Sequence, residues 1–149
     1  MSHKQYINEA FELENSVSIF EYIIGFAASE RYNKIAELYE KAGNICFKTP
    51  NTVQLALEYF EKACKYYIKA KRYYNYINLL SKIAISNSKE NYIKSIEELN
   101  ICVNWYQMNW HLEPNYLRQA FINIKLIGDI YFQNEKFEES LLNYIKIIN

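Results

Sequence analysis

The feature that most constrains this chain is a helical spacing of small and bulky residues, small-x3-bulky-x2-small, whose offsets occur three times, the last with isoleucine in the final position. The copies are Ala56-x3-Phe60-x2-Ala63, the weaker Ser95-x3-Leu99-x2-Cys102, and Ser140-x3-Tyr144-x2-Ile147. They begin 39 residues (56 to 95) and 45 residues (95 to 140) apart. Offsets of four and three place such residues on one face of an α-helix. The repetition therefore predicts stacked helical units rather than one irregular core.

Two of the three glycines, Gly43 and Gly128, occupy equivalent places ahead of the first and the last copy. Glycine within a helix costs about 1 kcal/mol relative to alanine, so each position needs a compensating reason. Close approach by the following helix is the reason that we expect.

The pattern is similar to the tetratricopeptide repeat, although its spacing exceeds the ordinary unit of about 34 residues. We expect an all-α protein, a right-handed superhelical array of tetratricopeptide-like hairpins with about seven helices. It would form one domain over 1–149, with an N-terminal helix (1–14), an apolar loop (15–30) and three helix pairs (31–149). The first pair would begin at Arg31, and Pro50 and Pro114 would each open a helix.

The charges exclude a global electrostatic function, because 17 basic and 17 acidic side chains give a net charge of zero. Without a basic field we expect no nucleic-acid partner. Three widely separated cysteines without a C-x-x-C motif suggest reduced thiols. With no secretory signal and no apolar stretch of membrane-spanning length, we expect a cytoplasmic protein.

One segment, VSIFEYIIGFAA from Val17 to Ala28, is apolar on every side of a helical wheel. Some of its side chains must therefore be exposed or covered by something else. Two interpretations stay open: a short buried helix or packed connection, and a hydrophobic loop that enters a membrane surface.

The charges are also unevenly distributed. Residues 1–61 carry a net −4, residues 62–89 a net +7 and residues 90–149 a net −3. Helical spacing predicts that four of the basic residues share one face: Lys62, Lys65, Lys69 and Arg72. Like charges at these offsets do not stabilise a helix. The face is either simply solvated or binds an acidic partner.

Neither a reaction centre nor a cofactor or metal site is predicted. His3 lies near the terminus and His111 stands alone beside Trp110, without a cysteine or histidine at ligand spacing or a glycine-rich phosphate loop. We therefore do not expect an enzyme.

Several stretches together resemble the soluble NSF attachment proteins, the alpha- and gamma-SNAP family of vesicle-fusion adaptors. They are NSVSIFEYIIGF (15–26), AELYEKAGNICFK (36–48), ALEYFEKACKYYIKAKRY (56–73) and IGDIYFQNEKFEESLLNYIKI (127–147). The resemblance implies a helical-hairpin sheet that grips the acidic four-helix SNARE bundle, recruits the AAA ATPase NSF and makes peripheral membrane contact. It assigns the membrane loop to Ile19, Phe20, Ile23, Ile24 and Phe26.

The chain also departs from this family. It is shorter and lacks the C-terminal bundle that engages NSF, so we expect a truncated form that competes with full-length SNAP for SNAREs. Ile122 stands where a family lysine is expected, which leaves Arg118 and Lys125 as nearby candidates for partner contact.

The alternative is a generic tetratricopeptide module that binds a peptide or helix unrelated to SNAREs. The inward-facing Lys, Asn and Arg set of a carboxylate clamp cannot be assembled from this sequence, and a peptide screen would separate the two hypotheses.

Overall fold

The computed structural model describes residues 2–15 and 26–148, and it places seven α-helices in these ranges. The helices are α1 (His3–Asn15), α2 (Phe26–Lys48), α3 (Val53–Lys69), α4 (Tyr73–Asn87), α5 (Tyr92–Met108), α6 (Pro114–Gln133) and α7 (Phe137–Ile148). The described ranges contain no strand. The all-α prediction is confirmed, and the handedness of the array stays a prediction. None of the described helices combines the length and apolar character needed to cross a bilayer.

The chain divides into two compact units, Met1–Leu79 and Leu80–Asn149. Repeat proteins give such divisions readily because each repeat packs mainly on its neighbours. The expectation of a single domain stays a prediction.

The first unit is held together by the buried faces of α2 and α3. Its largest fully buried side chains include Ile35, Leu38 and Tyr39 of α2, with Phe60 and Tyr67 of α3. The buried residues of α3 recur at offsets of three and four, as one helix face requires. The repeat pattern read from the sequence is therefore the packing face of this helix.

The second unit has its own apolar cluster, which α4, α5 and α6 supply. Its buried members are Ala84, Ile96, Leu99, Val103, Ile124, Ile127 and Ile130. Leu99 and Cys102, from the weak middle copy of the repeat, are both fully buried. This copy therefore packs like the others despite its poorer match.

Both helical glycines lie where a neighbouring ring approaches, as expected. A Cβ atom at Gly43 would lie 2.5 Å from the Phe60 ring, and one at Gly128 would lie 2.5 Å from the Tyr144 ring. At these distances the ring would have to shift to accommodate a Cβ atom. Phe60 and Tyr144 are the bulky residues of the first and last copies. In each of these two repeats, therefore, the glycine of one helix makes room for the bulky ring of the next.

The helix α2 begins at Phe26 rather than at Arg31, so the predicted apolar loop is too long at its C-terminal end. Ala27 and Ala28 favour helix, and two tertiary contacts hold the first turns. The Ser29 hydroxyl donates to the Ala70 carbonyl at 3.1 Å, and Glu30 pairs with Arg72 at 3.1 Å.

The prediction that Pro50 opens a helix is wrong, whereas Pro114 does begin α6. Pro50 and Asn51 lie in a turn, with Asn51 in the left-handed region at φ 66°, and α3 begins only at Val53. The hydroxyls of Thr49 and Thr52 donate to the Ile45 and Cys46 carbonyls at 2.8 and 2.7 Å. These bonds satisfy carbonyl groups at the C-terminal end of α2, so the side chains of this turn complete the end of that helix.

Candidate functional site

The exposed side of α3 carries the strongest candidate site. Lys62, Lys65 and Lys69 all lie on this helix and are all exposed, and we call them the lysine face. The opposite side of α3 is buried against the rest of the first unit, so the lysines project outward. This much of the predicted basic face is present.

Aromatic rings hold two of these lysines in place. The Lys62 ammonium lies 5.8 Å from the centroid of the Phe11 ring and 5.5 Å from that of Tyr39. The Lys69 ammonium lies 5.6 Å from the Tyr32 ring and 5.1 Å from the Tyr66 ring. Cation–π attraction orients an ammonium while leaving it hydrated on its outer side. The lysine face is therefore partly pre-organised for an anionic partner.

The rings themselves pack between the helices. Tyr39 and Tyr66 stack at 6.1 Å, and Tyr32 lies 6.0 Å from Tyr66. The Tyr39 hydroxyl donates to the Glu14 carboxylate of α1, and burial together with this bond raises the pKa of Tyr39. The phenol therefore stays protonated and links α1 to α2.

Arg72, the fourth predicted member of the basic face, does not belong to it. The helix ends at Lys69, and Lys71 takes a left-handed conformation at φ 57°, so Arg72 lies in the turn that follows. The Arg72 guanidinium pairs with Glu30 at 3.1 Å. The spacing argument failed because it assumed that the helix continued for one more turn.

The tyrosines interleaved with the basic residues differ in exposure. Tyr67 is buried, Tyr66 and Tyr76 are half-buried, and Tyr73 and Tyr74 are exposed. The Tyr67 hydroxyl donates to Glu40, and burial together with this bond raises the pKa of Tyr67. Tyr67 thus joins α3 to α2.

Arg118 and Lys125 lie two turns apart on α6 and are both exposed. The Lys125 ammonium pairs with Asp129 at 3.0 Å, and the hydrogen bond raises the pKa of Lys125. Asp129 also accepts a hydrogen bond from the Tyr144 hydroxyl. Both basic residues belong to the second unit, whereas the lysine face belongs to the first.

Four of the five proposed membrane-loop residues, Ile19, Phe20, Ile23 and Ile24, lie outside the described residues. The fifth, Phe26, is the first residue of α2. The membrane role of this segment stays a prediction.

Sequence reasoning missed two features of the second unit. One is an open pocket of about 440 Å³ between α5 and the α6–α7 turn, lined by Tyr92, Ile93, Ile96, Glu97, Asn100, Tyr131, Lys136 and Glu139. The other is a set of exposed apolar side chains at the α5–α6 turn: Met108, Trp110 and Leu112. The exposed apolar set could have been found from the sequence, since three large apolar residues stand in a polar break. The pocket could not, because the residues that line it come from separate helices.

The described ranges show neither a metal-binding cluster nor an exposed cysteine. No group of three or more His, Cys, Asp or Glu side chains there could hold a metal ion. The three cysteines are buried in α2, α3 and α5. Burial and the nearby Glu98 raise the pKa of Cys102 to about 12, which keeps this thiol protonated.

Comparison with known proteins gives a family for the chain. The model of the soluble NSF attachment protein family, SNAP, matches residues 2–147. Searches of curated proteins and of solved structures each returned no match. A family match over nearly the whole length agrees with an all-α array whose packing glycines recur with the repeat. The chain belongs to the soluble NSF attachment protein family.

Proposed function

We propose that this chain is an adaptor that binds the helical bundle of assembled SNARE proteins at a membrane surface. The SNAP family is a family of non-enzymatic adaptors, which supports an adaptor role in general. The observation that carries the finer proposal is the lysine face, three exposed cations on one helix of a chain whose net charge is zero.

The physical argument is local attraction. Complementary charge steers association even when the whole protein is neutral, because screening limits each charge to about 10 Å at ordinary salt. Lys62 and Lys69 are already oriented by rings at 5.1 to 5.8 Å, so binding loses less side-chain entropy than it would with free lysines. An acidic helical bundle is the partner that this surface fits.

The test is co-sedimentation or a binding isotherm with an assembled SNARE complex at low salt. We expect Lys65→Glu with Lys69→Glu to weaken binding by about tenfold or more, since truncating or reversing close charge pairs costs over 1 kcal/mol. The matched control is Lys34→Glu with Lys41→Glu, which makes the same change of charge on α2, where Lys41 lies 5.9 Å from the Tyr6 ring.

Failure of the wild-type chain to bind the assembled SNARE complex at low salt would contradict the proposal. Equal weakening by both double variants would reject the lysine face as the contact while leaving an adaptor role in place.

Competition with another SNAP is a consequence of this proposal. Two family members that bind the same SNARE surface exclude each other by mass action. We propose that this chain displaces a second SNAP from SNAREs, and that it reduces disassembly by an NSF-type ATPase if it recruits that ATPase less well. Disassembly rates measured with increasing amounts of this chain test the idea, and an unchanged rate under saturating binding would contradict it.

Membrane contact through the 17–26 segment is the second part of the proposal, and it rests on the family match and on the apolar sequence. Phe20→Ser with Ile23→Ser should lower flotation with liposomes, and unchanged flotation would count against this part.

The pocket lined by Tyr92, Tyr131 and charged side chains favours a second candidate, a module that binds a peptide. This candidate would be supported if the chain bound a peptide on an array and showed no affinity for SNARE proteins. Glu97→Lys should then abolish peptide binding, because it reverses a charge in the pocket lining.

A further inference from the structure

The turn between α5 and α6 displays three large apolar side chains. Met108, Trp110 and Leu112 are 76%, 57% and 63% exposed, and together we call them the apolar tip. Single exposed apolar residues are ordinary on a protein surface, but three within five residues of one turn form a local concentration. Such a concentration indicates a surface that something else covers.

Asn109 and Leu112 make hydrogen bonds within this turn. The Asn109 amide N–H donates to the Trp105 carbonyl at 3.1 Å, and the Asn109 side-chain amide donates to the same carbonyl at 2.8 Å. The Leu112 N–H donates to the Asn109 carbonyl at 3.0 Å. Each of these bonds lowers the free-energy cost of moving the polar groups of the turn out of water.

An aromatic cluster supports the turn from below. Trp105 lies 5.5 Å from Tyr106 and 5.2 Å from Tyr116, and these two tyrosine rings are 5.5 Å apart. Tyr106 is buried, so the space beneath the turn is already filled. The tip side chains therefore cannot turn inward without displacing packed rings.

The charges around the tip distinguish between partners. From Trp105 to Leu117 the sequence contains one Asp, Glu, Lys or Arg residue, Glu113, and Arg118 follows directly. The tip itself thus offers no lysine or arginine to an acidic protein helix. An apolar turn that contains tryptophan matches the chemistry of the bilayer interface, where tryptophan is enriched.

We infer that the apolar tip inserts into the interfacial layer of a phospholipid bilayer. Its side chains would replace water with acyl chains and glycerol backbones, and the indole N–H of Trp110 would remain at the polar boundary. This contact is additional to the proposed 17–26 loop and does not depend on SNARE binding, so vesicles alone test it.

The experiment uses Trp110 as its own reporter. In the full chain with Trp105→Phe, Trp110 is the only tryptophan, and the phenyl ring preserves the aromatic cluster. Addition of phosphatidylcholine vesicles should shift its emission to shorter wavelength, and lipids brominated on their acyl chains should quench it. Met108→Ser with Leu112→Ser should lower the vesicle partition coefficient by about tenfold, since two large apolar side chains no longer leave water.

The matched control is Ile85→Ser with Ile101→Ser, which changes one exposed apolar residue of α4 and one of α5 outside the tip. This control should retain the quenching, and circular dichroism should show the same helicity in all variants. The Trp110 signal should also persist in a Phe20→Ser, Ile23→Ser background, which separates the tip from the proposed loop.

Three results would overturn the inference. They are an emission that vesicles do not move, an equal loss in the control variant, and a Trp110 signal that disappears when the 17–26 segment is changed. If an assembled SNARE complex moved the emission and vesicles did not, the tip would be a protein contact and the inference would likewise be wrong.

Discussion

At the scale of single residues, two glycines set how closely the paired helices approach. Gly43 faces the ring of Phe60, which is fully buried, and Gly128 faces the ring of Tyr144, which is only half-buried. The two sites have the same geometry but different freedom to adjust. A ring locked in a core cannot move away from a new methyl group, whereas a ring near the surface can.

The first prediction compares Gly43→Ala with Gly128→Ala. Alanine gains about 1 kcal/mol of helix propensity at either site. At Gly43 we expect overpacking to exceed this gain, with a net loss of about 1–2 kcal/mol of unfolding free energy. At Gly128 the loss should be smaller, because Tyr144 can shift. Urea unfolding of the two variants measures the difference, and a Gly43→Ala protein more stable than wild type would contradict the packing argument.

The ends of α3 and α6 are each followed by a non-glycine residue in the left-handed region. Beyond α3, Lys71 has φ 57° and the Arg72 N–H donates to the Tyr67 carbonyl at 2.9 Å. Beyond α6, Glu135 has φ 59° and the Lys136 N–H donates to the Tyr131 carbonyl at 2.9 Å. Both are Schellman closures, a geometry that usually takes glycine.

The second prediction uses Glu135→Gly with Glu135→Ala as its control. Both changes remove the same charge, but only glycine relieves the left-handed strain. We expect the glycine variant to be more stable than the alanine variant by about 1 kcal/mol. Thermal unfolding compares them, and equal midpoints would show that the turn carries no such strain.

At the scale of helices, tyrosine hydroxyls bonded to carboxylates join neighbouring helices within the described part of the chain. Tyr39 of α2 donates to Glu14 of α1, Tyr67 of α3 donates to Glu40 of α2, and Tyr144 of α7 donates to Asp129 of α6. Hydrogen bonds to a charged acceptor stabilise by about 1.5–3 kcal/mol. Polar bonds thus supplement the apolar faces where paired helices meet.

The third prediction concerns the attachment of α1. Tyr39→Phe removes the donor to Glu14 but keeps the ring that stacks on Tyr66. We expect a loss of about 1–2 kcal/mol and faster amide hydrogen exchange in α1 than in α3. Exchange measured by mass spectrometry tests this. Tyr59→Phe, which keeps a ring that lies 6.3 Å from the Tyr39 ring, is the control, and equal acceleration in both variants would contradict a specific role for Tyr39.

Helix positions were predicted well from the periodic pattern, and the errors lie at the ends. The early start of α2 depends on Ser29 and Glu30 contacting Ala70 and Arg72, which are distant in sequence. The end of α3 at Lys69 moved Arg72 off the lysine face. Long-range contacts decide such boundaries, so local propensity does not locate them.

At the scale of the whole chain, zero net charge conceals a strong local difference between residues 62–89 and the rest. Salt screens exposed charges separated by more than a Debye length, which is about 10 Å at 0.1 M and 3 Å at 1 M. Interactions of the lysine face should therefore be sensitive to salt, although the protein as a whole is neutral.

The fourth prediction is that SNARE binding falls steeply as salt rises. Between about 0.05 and 0.5 M salt we expect the affinity to fall by about tenfold or more, whereas vesicle binding through the apolar tip should change little. Isotherms at several salt concentrations test this, and salt-independent SNARE binding would show that charge contributes little to that contact.

The sequence by itself determined the all-α class, the repeat, the packing role of Gly43 and Gly128, and the resemblance to the SNAP family, because each depends on residue types at short spacings that recur along the chain. Only the tertiary structure decided that Arg72 pairs with Glu30, that Lys62 and Lys69 lie over aromatic rings, and that Met108, Trp110 and Leu112 project from a supported turn. These features depend on residues far apart in the chain, and a helical period carries no information about what the next helix presents.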